Sequence, residues 1–207
     1  MKRFSDKIRF VCCASQEVQD IEHIRSYDMP GDLEIERASI LEAARATSAA
    51  TTFFDPVEIE ECKYADGALG ANNPVDEVEG EATDLWCEDT EDLKPLVKCF
   101  VSIGTGNPGK RPMERNVFKF LSKTVVNIVT DTEATEKKFM TNWKQHYDEK
   151  RYFRFNVEQG LQDVRLAEYK QQPVIQSDTK AYFNHPAVKS RVRDCVDNLR
   201  LKQGMCI

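Results

Sequence analysis

The chain has 207 residues, enough to bury a substantial core as one large domain or as one domain with an appendage. With 41% hydrophobic and 31% charged residues it is not disordered by composition, and a net charge of -6 argues against a general nucleic-acid binder, which needs basic residues to neutralise phosphates. No apolar run reaches the length needed to span a bilayer, and the charged start from Met1 to Lys7 has no signal-peptide core behind it, so a cytoplasmic chain is expected, with peripheral contact at membranes or lipid droplets left open.

In chain order, Lys7 to Ala14 and Asp20 to Tyr27 read as two strands, and Met29-Pro30-Gly31-Asp32 as the turn that leaves the second. Ala38 to Ala50 reads as a helix whose alanines keep one face narrow and allow close approach of a neighbouring element. Asp55-Pro56 stops that segment, and Val57 to Ala65 carries the chain up one strand to Asp66. A helix follows from Pro74 to about Trp86, within a stretch holding nine acidic residues from Asp76 to Asp92 and no basic ones, the pattern of a solvated face and a following loop. Leu96 to Ile103 reads as a short apolar strand inside the sheet. From Glu114 to about Tyr147 the spacing is helical, with Phe139, Met140, Trp143 and Tyr147 on one core-facing stripe. Tyr152 to Val157 alternates as a late edge strand, and a final helix from about Pro186 to Lys202 sets Val188, Val192, Val196 and Leu199 along one side.

The segment richest in chemistry is Tyr64-Ala65-Asp66-Gly67-Ala68-Leu69-Gly70-Ala71-Asn72-Asn73-Pro74. It ends a strand on a carboxylate and reverses through glycines into a helix. In an open α/β sheet, ligands sit beyond the carboxyl ends of the strands, so Asp66 is placed for chemistry. Asn73 offers a side-chain oxygen as helix N-cap, with Pro74 in the first turn. On turn composition alone, the same residues also fit an Asx-type turn without chemistry.

Seven cysteines, at 12, 13, 62, 87, 99, 195 and 206, have no Cys-x-x-Cys spacing and fit reduced thiols. The three histidines lie far apart, outside zinc-ligand spacings, so no metal and no cofactor is expected. Gly104-Thr105-Gly106-Asn107-Pro108-Gly109-Lys110 satisfies most of a phosphate-binding P-loop after a strand. Arg111 then replaces the hydroxyl residue that would hold magnesium, and Pro112 restricts the backbone where a helix should begin, so nucleotide binding is only a remote alternative.

Taken together, Arg25-Ser26-Tyr27-Asp28-Met29-Pro30-Gly31, the run Ala44-Arg45-Ala46-Thr47-Ser48-Ala49-Ala50, the Asp66-Gly67-Ala68 motif with its Asn-Asn-Pro, and Val101 to Gly106 resemble the patatin-like phospholipases, particularly the fungal type. Thr51 stands where that family usually has a proline after the alanine-rich run. The resemblance covers roughly residues 8 to 107. It implies a three-layer α/β/α fold with a mostly parallel central sheet, here incomplete at its N-terminus and followed by a helix-rich C-terminal region. Residues 1–112 would be the C-terminal part of the phospholipase domain, and 113–207 a helical extension packed on it.

The implied activity is hydrolysis of lipid or phospholipid acyl esters by a serine and aspartate pair, with Asp66 as proton acceptor and Gly67 and Ala68 forming the turn behind it. A lone hydroxyl is a weak nucleophile and needs such a base. In the family the serine lies in a Gly-x-Ser-x-Gly elbow, and an upstream glycine-rich segment stabilises the oxyanion. Neither is found among the nine glycines of these 207 residues. Ser48, in an alanine-rich helical run, and Ser102, in an apolar strand, read as packing residues. The chain alone is therefore expected to be inactive, and a lipid- or protein-binding remnant is the alternative function.

Overall fold

The computed structural model describes residues 9–15, 20–29, 38–51, 53–87, 89–107, 132–162, 164 and 168–201. It divides into two compact units, the first of residues 1–92 and 123–136, the second of 93–122 and 137–207. The expected helix from Glu114 lies outside the described residues as far as residue 131, as do Pro30-Gly31-Asp32 and the Pro108 to Lys110 end of the P-loop-like run.

In the first unit, β1 (Phe10–Ser15) and β2 (Ile21–Arg25) pair antiparallel with Cys12 opposite His23. The expected single strand from Val57 is instead a hairpin, β3 (Val57–Ile59) and β4 (Cys62–Asp66). Glu60, with φ of 56°, makes the reversal between them. β4 also pairs antiparallel with β1, giving a four-stranded sheet in the order β2-β1-β4-β3. This corrects the mostly parallel central sheet expected above. The β1–β2 and β3–β4 connections are too short for the crossover of a dozen or more residues that parallel pairing requires. What the structure shows is a mixed α/β fold in which, among the described residues, only two strands, in the other unit, run parallel.

Helix α1 (Ile40–Thr47) begins at a capping box: Ser39 Oγ accepts from the Glu42 N–H, and the Ser39 N–H donates to the Glu42 carboxylate. It is shorter than the expected span because Ser39 caps one end and Ser48 closes the other. Ala46 of the helix and Ala49 just beyond it bury against Cys13 and Val57, with Val11, Ile24, Ile59 and Tyr64 packed around them. The narrow alanine face thus serves the unit's own sheet. After the corner at Asp66 come α2 (Ala68–Ala71) and α3 (Val75–Trp86).

In the second unit β5 (Phe100–Ile103) and β6 (Tyr152–Phe155) pair parallel, with Val101 opposite Phe153. β5 is therefore not a member of the four-stranded sheet, contrary to the reading that placed it there. A helix α4 over 132–142, of which residues 132–136 are counted with the first unit, breaks at Trp143, and α5 (Lys144–Asp148) follows. The expected stripe is core: Phe139 and Trp143 are fully buried and stacked at 5.3 Å, and Phe100 and Tyr152 close the aromatic cluster. Two helices, α6 (Gln172–Asn184) and α7 (Pro186–Leu201), complete the unit. On α7 the buried face runs through Val192 and Cys195, while Val196 and Leu199 are exposed. The valine stripe is displaced because Cys195 packs on Phe153 and Phe155 of β6.

Candidate functional site

Asp66 is the last residue of β4, opposite Cys13 of β1, and its backbone N–H donates to the Ala49 carbonyl at 3.1 Å. Its Oδ1 accepts from the Ala68 N–H at 2.8 Å, which holds the carboxylate over the turn and leaves its other oxygen available to a further donor. This is the Asx-type turn that the sequence allowed, and Asp66 also borders an open cleft of about 360 Å³. Phe10, Val11 and Cys12 form one wall of that cleft, and Gly67, Ala68 and Val78 another. The strand end thus places a carboxylate at the rim of an apolar recess.

Gly67 has φ of -58°, so the corner does not need glycine for an unusual backbone angle. It needs glycine for proximity, because a Cβ there would sit 2.2 Å from the Cys12 carbonyl oxygen. That same oxygen accepts from Thr47 Oγ1 at 2.7 Å. One backbone carbonyl therefore ties together β1, α1 and the turn that carries Asp66.

The expected N-cap at Asn73 is not formed. Residues 68–71 take up an extra helical turn, the cap position of α3 falls on Pro74, and no side chain caps it. Asn73 is 5% exposed and neither end of its carboxamide has a hydrogen-bond partner. Neighbouring Asn72 donates to Thr132 Oγ1 at 2.8 Å.

Among the described residues the cleft lining contains no serine. Ser48 is exposed, not packed, and donates to the Ala44 carbonyl at 2.6 Å. Ser102 is buried in the second unit and accepts from Arg154 at 2.7 Å. Cys12 does line the cleft, but burial first, then the charge of Glu77, pushes its thiol up to about 12. Burial and the nearby Asp66 push Cys13 up to about 12 as well. Both thiols are protonated at neutral pH, so neither substitutes as a nucleophile.

Between β2 and α3 the structure assembles a charged network that the sequence reading missed. Glu81, 3% exposed on α3, accepts from Arg25 through both carboxylate oxygens and from Tyr27 Oη at 2.5 Å. His23 places Nδ1 2.8 Å from Glu81 and Nε2 2.9 Å from Glu77. Carboxylates only accept, so both contacts are filled when both ring nitrogens carry protons. Burial raises the Glu81 carboxyl, but hydrogen bonds from Arg25, Tyr27 and His23 outweigh it and hold the group at about 2. The available signal was the alternation of His23 and Arg25 on β2 with Tyr27 just beyond it, facing Glu77 and Glu81 one helical turn apart.

The first unit is thus defined by a strand-end carboxylate, glycine-dependent contact with the adjoining strand, and an apolar cleft beside it. Residues 5–78 match the family described as patatin-like phospholipase. Among curated proteins, the chain is 31% identical over 119 residues to Phospholipase A I of Arabidopsis thaliana. That stretch is 56% of this chain, and it spans 8% of the length of the plant protein.

Proposed function

We propose that the chain supplies the proton-accepting part of a lipid acyl-ester hydrolase, with Asp66 as the base and a serine from outside these 207 residues as the nucleophile. The observation that carries the reading is the position of Asp66 within the matched segment, at the rim of the apolar cleft. The family match supports a lipid or phospholipid ester as substrate. In this mechanism the serine hydroxyl attacks the ester carbonyl as Asp66 takes its proton, and backbone N–H groups hold the oxyanion. Gly67 brings the turn against β1, and the Ala68 N–H orients the carboxylate. The finer features of the resemblance, the fungal subtype and the three-layer arrangement, belong to this proposal, as does a peripheral position on lipid. No helix among the described residues is long and apolar enough to cross a membrane.

The test is Asp66→Asn in the complete protein, assayed for fatty-acid release from phospholipid vesicles. Loss of a general base lowers turnover by about 10²- to 10⁴-fold. Circular dichroism should be unchanged, because Asn retains an acceptor for the Ala68 N–H. Full activity in the variant overturns the role of Asp66. A complete wild-type protein that binds vesicles without ester turnover would replace the hydrolase with a lipid-binding module.

A further inference from the structure

The Asp66 corner is held from outside its own turn. The β1–β4 pairing ends with Cys13 opposite Asp66, so the Cys12 carbonyl lies one residue past the last pair, where β4 gives way to the turn. There it accepts from Thr47 Oγ1 at 2.7 Å, and Gly67 approaches so closely that a Cβ would sit 2.2 Å from it. Just beyond the helix, the Ala49 carbonyl accepts from the Asp66 N–H at 3.1 Å. The end of α1 therefore grips the corner at two points, through the Thr47 hydroxyl on β1 and through the Ala49 carbonyl on Asp66 itself. Ala46, fully buried against Cys13, seats that end of the helix. Thr47, Cys12, Asp66 and Gly67 all line the same cleft.

We infer that Thr47 is a positioning residue for Asp66, its hydroxyl fixing the Cys12 carbonyl against which the Gly67 turn, and with it the carboxylate, is set. The inference rests on the reading of Asp66 as the general base. Thr47 does not touch the reacting atoms in this role, because its hydroxyl proton is committed to the Cys12 carbonyl. Only a hydroxyl donates from this position: serine keeps that donor, whereas valine and alanine remove it. Without it the turn is free to shift relative to β1. The carboxylate then shifts as well, since the Ala68 N–H that orients Asp66 Oδ1 belongs to the same turn.

Such a shift acts on turnover and not on affinity. A displacement of about 1 Å in a reacting group costs about 10²-fold in rate. The apolar wall of the cleft, Phe10, Val11 and Val78, is untouched by the loss of one hydroxyl, so lipid binding is retained.

The experiment compares wild type, Thr47→Val and Thr47→Ser in the complete protein, with fatty-acid release from phospholipid vesicles as the assay. Thr47→Val should lower kcat by about 10- to 100-fold at unchanged KM, and Thr47→Ser should restore most of the loss. An undiminished kcat in Thr47→Val, or a change confined to KM, overturns the proposal. Amide hydrogen exchange on the 207-residue chain reads the same contact without turnover. The Asp66 and Ala68 amides should lose at least about fivefold in protection in Thr47→Val and regain it in Thr47→Ser, while amides of α3 exchange as in wild type. Unchanged Asp66 and Ala68 amides overturn the proposal, as does a loss shared with α3 or one that Thr47→Ser does not recover, because either of these makes Thr47 a packing residue. Thr47→Ala, which removes the hydroxyl without adding a methyl beside the carbonyl, is read in the same way if Thr47→Val does not fold. A complete wild-type protein without ester turnover removes the base role of Asp66, and the exchange measurement then decides by itself whether Thr47 sets the corner.

Discussion

Gly67 is constrained by one atom, the carbonyl oxygen of Cys12, and not by its own backbone angle. Gly67→Ala would bring a methyl group to 2.2 Å from that oxygen and 2.8 Å from its carbonyl carbon, backbone atoms with no flexible side-chain end to move aside. Overpacking of this kind costs about 1–3 kcal/mol, and the contact here is at the severe end of the range. Urea unfolding should show a lower midpoint, and an unchanged midpoint would mean that the Asp66 corner is not held against β1 in solution. The sequence made the corner legible as a carboxylate followed by a glycine turn, because strand, Asp and Gly are adjacent in the chain. It could not show why position 67 must be glycine, since the partner atom comes from a distant strand. Asn73 failed as a cap for a related reason: the extra turn at α2 moved the start of α3 by one residue, a boundary that composition does not resolve.

At the level of elements, α3 is fastened to β2 by charge. The acidic run was read as a solvated face, and Asp84 and Glu91 fit that description, but Glu77 and Glu81 turn inward to His23, Arg25 and Tyr27. Local charge density is visible in a sequence, whereas the strand cations that neutralise it belong to another element and become visible only after pairing. A pH dependence follows. The Glu81 carboxyl lies at about 2 in the folded chain against an ordinary value of 4.5. A carboxyl depressed by folding contributes stability that is fully present above 4.5 and is lost as pH falls toward about 2. Urea midpoints measured from pH 6 to pH 2.5 should therefore fall below pH 4.5 more steeply in wild type than in Glu81→Gln. Glu81→Ala at neutral pH should cost about 3 kcal/mol, because it removes the buried carboxylate that accepts from Arg25, Tyr27 and His23. Parallel pH profiles for wild type and Glu81→Gln would show that the network contributes nothing to folding.

Across the whole chain, most individual elements were readable, and their partners were not. The apolar character of β1, β4, β5 and β6 is a local property, but the assignment of β5 to a two-stranded sheet with β6 depends on which surfaces are buried by Phe139, Trp143 and Tyr152. The same gap separates a resemblance that points to a parallel sheet from an antiparallel sheet of two hairpin-like pairs. Each unit also has its own core, one of small residues around Cys13 and Ala46, the other aromatic and continued by Phe153, Phe155 and Cys195. Separate cores allow separate local stabilities, since exchange free energies follow cooperative blocks and not the chain as a unit. Hydrogen exchange of Glu81→Gln compared with wild type at neutral pH tests this directly. Hydrogen bonds to a charged group contribute about 1.5–3 kcal/mol, so amides of α3 and β2 should lose at least about tenfold in protection. Amides of β6 and α7 should exchange as before, because their protection rests on contacts that Glu81 does not touch. An equal loss in both units would instead mean that the 207 residues unfold as one cooperative block, and the acid sensitivity of the α3 network would then govern the stability of the whole chain.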